Sequence, residues 1–130
     1  MTRGRGVEEI QIGDSAEFSK RISEDDVRNF TGVTGDAADT SRKPETVPEM
    51  LCAGLISTVL NGFLPGSGTR YLSQTLHFRQ PVLMGDTLTA RVTVADKHEM
   101  SNWVNVKTVC RNQRGEIVID GEAIVMPPQR

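Results

Sequence analysis

Residues 50–60 read Met-Leu-Cys-Ala-Gly-Leu-Ile-Ser-Thr-Val-Leu, a stretch without a charge and apolar on almost every side of a helix. A helix of that kind must be buried over most of its surface. Pro48 and Glu49 prepare its start, because proline's missing N–H costs nothing in a first turn and a carboxylate there complements the helix dipole. Asn61-Gly62 and the run Pro65-Gly66-Ser67-Gly68 end it. The material to cover it follows directly. From Thr69 onward the chain is β in pattern, with strands expected over 70–79, 87–98, 102–111 and 116–125. Leu88, Ala90, Val92 and Val94 alternate with Thr89, Arg91 and Thr93, so one face of that strand is dry and the other wet. Short links with turn chemistry, such as Gly85-Asp86 and Asn112-Gln113-Arg114-Gly115, join the strands into one antiparallel sheet. The expected class is α+β, a long antiparallel sheet wrapped around a central apolar helix.

Ahead of the helix the chain is more polar. Phe18, Lys20 and Ile22 alternate as a short strand would after the turn Gly13-Asp14. Ser23-Glu24-Asp25-Asp26 then marks a helix start, with serine capping the orphan N–H groups and three carboxylates facing the dipole. Val27, Phe30 and Thr31 share one face, and Gly32 or Gly35 ends the element. Asp36 therefore falls in a loop just past a helix C-terminus. Residues 1–8 are expected to fray, and residues 1–130 to form a single domain.

Charge and cysteine usage narrow the function. A net charge of −2 gives no affinity for nucleic acid or an anionic membrane surface. The apolar run of 50–60 is too short to span a bilayer, and no leader is evident, so a cytoplasmic location is expected. Cys52 and Cys110 lack metal-ligand spacing and lie in apolar patterns, which reads as two buried free thiols and no metal. Pro65-Gly66-Ser67-Gly68-Thr69 lacks the lysine and the strand-to-helix setting of a phosphate loop.

Thr34-Gly35-Asp36, after an acid-capped helix, is similar to the start of the T-G-D-x-N-P-x-H signature of MaoC-like (R)-specific enoyl-CoA hydratases. Residues 71–82 with Gly85-Asp86-Thr87-Leu88 resemble that family's strand leading into a P-V-x-x-G-D-x-L turn, and residues 115–123 resemble its closing strand. The similarity runs from about residue 12 to residue 125. It implies a hot-dog fold, in which two protomers usually join their sheets, so a homodimer is expected. It also implies addition of water to trans-2-enoyl-CoA. The substrate would be an acyl-CoA or acyl carrier protein thioester, with no cofactor beyond the coenzyme A carried by the substrate.

The resemblance assigns roles residue by residue, and departs at several of them. In the family, the Asp and His of the loop activate water, and a backbone N–H in an H-G-M motif opening the central helix holds the thioester oxygen. Asp36 stands at the Asp position, whereas Ala38, Asp39 and Ser41 replace the Asn, Pro and His. Pro48-Glu49-Met50 stands at the H-G-M place, with Met50 in register and Glu49 where the family has glycine. Only fourteen positions separate Asp36 from Met50, fewer than in the family. Asp36 and Glu49 are the candidate catalytic residues, since paired carboxylates divide acid and base work when their surroundings set them apart. Glu49 also reads simply as a carboxylate favoured by the helix dipole. Met50, Ser41 and His77 are the expected substrate contacts, and Arg42, Lys43, Arg70 and Arg79 are candidates for the phosphates of coenzyme A. Three readings stay open: a hydratase of reduced rate, an acyl-CoA thioesterase using Asp36 or Glu49, and a non-catalytic protein that binds an acyl thioester or a partner.

Overall fold

The structure, a computed structural model, describes residues 4–35 and 46–129. Its elements are β1 (Ser15–Arg21), α1 (Glu24–Thr34), α2 (Glu49–Gly62), β2 (Arg70–Phe78), β3 (Thr87–His98), β4 (Trp103–Arg111) and β5 (Ile117–Met126), with a short 3₁₀ turn at Val7–Glu9. The sheet runs β1-β3-β4-β5-β2, antiparallel throughout. This is the α+β architecture the sequence implies. β2 leaves α2 by the 63–69 loop and crosses to the far edge, and β3 returns beside β1.

The core lies between α2 and one sheet face. Cys52, Ile56, Val59 and Leu60 of α2 are fully buried against Leu88, Ala90 and Val92 of β3, Val104, Val106 and Cys110 of β4, and Val118 and Val125 of β5. Strand alternation sends Arg91, Lys107, Asp120 and their neighbours to the other face, and that face is wet.

Local chemistry sets the helix ends. Ser23 Oγ accepts from Asp26 N–H at 3.1 Å while Asp26 Oδ2 accepts from Ser23 N–H at 2.9 Å, a reciprocal cap that starts α1. Gly35, at φ 86°, ends it in the left-handed conformation. α1 buries no residue fully, and of its described residues Val27 packs against the core.

Two expectations are corrected. Of residues 1–8, expected to fray, those described are tied down: Gly4 N–H donates to Ser67 O at 2.9 Å, Arg5 N–H donates to Pro65 O at 2.8 Å, and Val7 is buried. The central helix is also less enclosed than its composition implies. Met50, Gly54, Thr58 and Asn61 form an uncovered strip along it, and Met50 is 57% exposed. A five-stranded sheet curls around one side of a helix and leaves the other to something else.

Candidate active site

The start of α2 is framed by backbone pairing. Thr46 bridges Leu83, and Val47 N–H donates to Val82 O at 2.9 Å, so the segment entering the helix lies as a short strand on the 81–86 turn. Pro48 is the cap and brings no side-chain hydrogen bond. Leu51 N–H turns back to Pro48 O at 3.1 Å, and the N–H groups of Glu49 and Met50 are left without an intrahelical acceptor. They are donors at the positive end of a 14-residue helix, where negative charge is favoured.

A groove leads away from this end. Met50, Ala53, Gly54 and Ser57 make its floor along the uncovered strip of α2, and Tyr71, Gln74 and Leu76 of β2 make its wall, enclosing about 220 Å³. Gly54 and Ser57 are small, and that is why there is space. The wall is fixed by hydrogen bonds. Tyr71 Oη donates to Gln74 Oε1 at 2.9 Å, and Gln74 Nε2 donates to Thr108 Oγ1 at 3.0 Å and to Glu122 O at 3.2 Å. Burial pushes the Tyr71 phenol up to about 12, so it remains a donor at neutral pH.

A second apolar hollow of about 310 Å³ lies on the other flank of α2, lined by Ile22, Phe30, Val33, Leu51 and Leu55. Lys20 Nζ meets Asp26 Oδ2 at 3.2 Å on its rim. The Ser23 backbone N–H, with Lys20 in support, holds the Asp26 carboxyl below the usual carboxylate range.

The residues singled out in the sequence are distributed unevenly. Glu49 and Met50 stand together at the helix entrance, both exposed, and Glu49 has no ion pair or hydrogen bond among the described residues. Asp36, Ser41, Arg42 and Lys43 lie outside the described residues. His77 is moved from its expected place. Its strand does run beside α2, but alternation along β2 turns Gln74 and Leu76 to the helix and Thr75 and His77 to the opposite face, where they join Lys107, Asp120 and Glu122 around an open hollow. Arg79 is committed on that face to Asp120, at 3.1 Å. Arg70 lies at the start of β2 beside Asn102 and Pro127. Since β2 runs back alongside α2, that is the end remote from Glu49.

Sequence reasoning missed the groove-forming Gly54, Ser57, Tyr71 and Gln74. The signal was there: beyond Met50, Ala53, Gly54 and Ser57 recur at helical spacing, a line of small residues along an otherwise bulky helix. Asp86 was also passed over. It is a carboxylate only 7% exposed, accepting Leu83 N–H at 3.0 Å and Gln113 Nε2–H at 2.9 Å.

Comparison with known proteins gives consistent results. Residues 11–121 match the family model described as the FAS1-like dehydratase domain region. The chain is 41% identical to an (R)-specific enoyl-CoA hydratase of Rhodospirillum rubrum, over 95% of this chain and 92% of the relative. In three dimensions it resembles an unliganded R-hydratase of Pseudomonas aeruginosa, with a TM-score of 0.88 at 35% identity over 98% of this chain and 88% of the other. An (R)-hydratase of Aeromonas caviae involved in PHA biosynthesis gives a TM-score of 0.84 at 33% identity, covering 92% and 98% of the two chains.

Proposed function

The chain belongs to the MaoC-like dehydratase family, of hot-dog fold, and on that ground we propose that it adds water to the double bond of trans-2-enoyl-CoA to give the (R)-3-hydroxyacyl thioester. The observation that carries this reading is the pair of N–H donors on Glu49 and Met50, free of intrahelical acceptors, at the mouth of an apolar groove. The thioester oxygen rests on the helix N-terminus, where the negative charge that develops on it during addition is stabilised. The acyl chain lies along Ala53, Gly54 and Ser57. Asp36 takes a proton from water as the oxygen adds to C3, and a proton is returned to C2, so the reaction needs no cofactor beyond the coenzyme A of the substrate. Ser41 contributes to positioning that water, and Glu49 bounds the mouth. The protein works as a homodimer in the cytoplasm, where Cys52 and Cys110 stay reduced.

Hydration and hydrolysis of crotonyl-CoA, followed side by side, test this. Loss of double-bond absorbance without thiol release is expected, and Asp36→Asn should reduce the rate by about 10²–10⁴-fold, the usual contribution of a general base, with the fold unchanged. Undiminished turnover in that variant removes Asp36 from the mechanism. Thiol release that disappears in Glu49→Gln replaces the hydratase with a thioesterase acting through the carboxylate at the helix entrance.

A further inference from the structure

Asp86 is a buried carboxylate, and none of the ion pairs among the described residues includes it. Burying an unpaired charge is costly, so its place in the fold depends on the hydrogen-bond donors gathered around it. Its Oδ2 accepts Leu83 N–H at 3.0 Å and its Oδ1 accepts Gln113 Nε2–H at 2.9 Å. Gln113 Oε1 in turn accepts Thr87 N–H at 3.0 Å. Asp86 N–H returns to Leu83 O at 3.0 Å, and its carbonyl takes Ile22 N–H at 2.9 Å. One side chain thus ties the 81–86 turn to the β4–β5 link, while its backbone ties the turn to the end of β1.

That turn carries the segment entering α2. Thr46 bridges Leu83, the same residue whose N–H the carboxylate holds, and Val47 hangs on Val82. Pro48 follows, and then the first-turn N–H groups of Glu49 and Met50. We propose that Asp86 is a positioning residue for the site: by fixing Leu83 it fixes the strand pairing of Thr46 and Val47, and so sets the aim of the first-turn N–H groups on the thioester oxygen. The inference rests on the functional reading above for its link to rate, and on geometry alone for its link to the helix entrance. A carboxylate is needed because both groups it meets are donors. An amide at position 86 would turn an N–H₂ group toward one of them.

The decisive experiment is a reciprocal exchange. Asp86→Asn alone should leave a folded protein whose kcat for crotonyl-CoA falls by up to about a hundredfold, the cost of an ångström-scale misplacement. KM should change little, and amide hydrogen exchange at Leu83, Val47 and Leu51 should speed up. Asp86→Asn combined with Gln113→Glu restores every donor–acceptor match. The amide oxygen introduced at position 86 takes Leu83 N–H, and the carboxylate introduced at position 113 takes both the new amide N–H and Thr87 N–H. The double variant should recover both kcat and slow exchange. Wild-type kcat and exchange in Asp86→Asn would overturn the proposal. So would a double variant that recovers melting temperature but not kcat, since that is the mark of a merely structural residue. If Asp86→Asn does not fold, Gln113→Ala, which removes one of the two donors, is read in the same way. If the wild-type protein does not hydrate crotonyl-CoA, the functional reading fails by itself. Exchange at Val47 and Leu51 then decides on Asp86: faster in the single variant and restored in the double upholds its role, unchanged rejects it.

Discussion

Cys52 on α2 and Cys110 on β4 are both fully buried, and burial pushes each thiol up to about 12. For Cys52 the carboxylates of Glu49 and Asp86 add to the effect of burial, as does Cys110 once it ionises. A thiol held neutral in this way does not attack reagents. Neither cysteine should react with a disulfide dye at pH 8 in the native protein, and both should react on unfolding; a fast native phase would place one of them at the surface. The effect on stability has a definite sign. The folded-state values lie above the ordinary value of 9.0, so the contribution is complete below about pH 9 and is lost as pH rises toward 12. The two buried thiols were legible, because each sits in an apolar pattern with no partner spacing. The buried role of Asp86 was not: in sequence a Gly-Asp pair reads as a turn, and its second partner, Gln113, arrives from the distant β4–β5 link.

At the scale of elements, periodicity did most of the work. The strand over 87–98 is found with the bounds expected, and the others begin or end within a residue or so of theirs, because half-buried strands declare themselves by alternation. α2 was legible as a helix and as the centre of the core, but its uncovered strip was not. Composition reports how apolar a helix is, not how far a sheet can curl around it. Leu55 lies on the covered side, only 7% exposed. Truncating it in Leu55→Ala should cost about 2–5 kcal/mol in urea unfolding, the usual range for removing a buried leucine side chain. A loss below about 1 kcal/mol would mean that α2 is packed far more loosely than the burial of Leu55 implies.

Across the whole molecule, the order of the strands was the least legible property, since pairing joins residues far apart in the chain. It places β2 at an edge, bonded only to β5, with Tyr71, Leu72 and Phe78 partly exposed along it. An edge of that length without proline, and with no inward-pointing charge, is open to pairing with another copy of itself. Sedimentation at micromolar concentration should therefore give a dimer, and Leu72→Lys should shift it toward monomer with a lower melting temperature. A wild-type monomer would leave the edge and the uncovered strip of α2 without their expected cover. That strip also bears on how such a molecule can change over generations. Met50, Gly54 and Ser57 touch the groove, while Cys52, Ile56 and Val59 touch the core, and the two sets interleave on one helix with Ala53 alone belonging to both. Drift at the first set alters what the groove admits and leaves the fold's stability almost untouched, so a lineage can explore new acyl chains through single substitutions that selection on folding hardly sees.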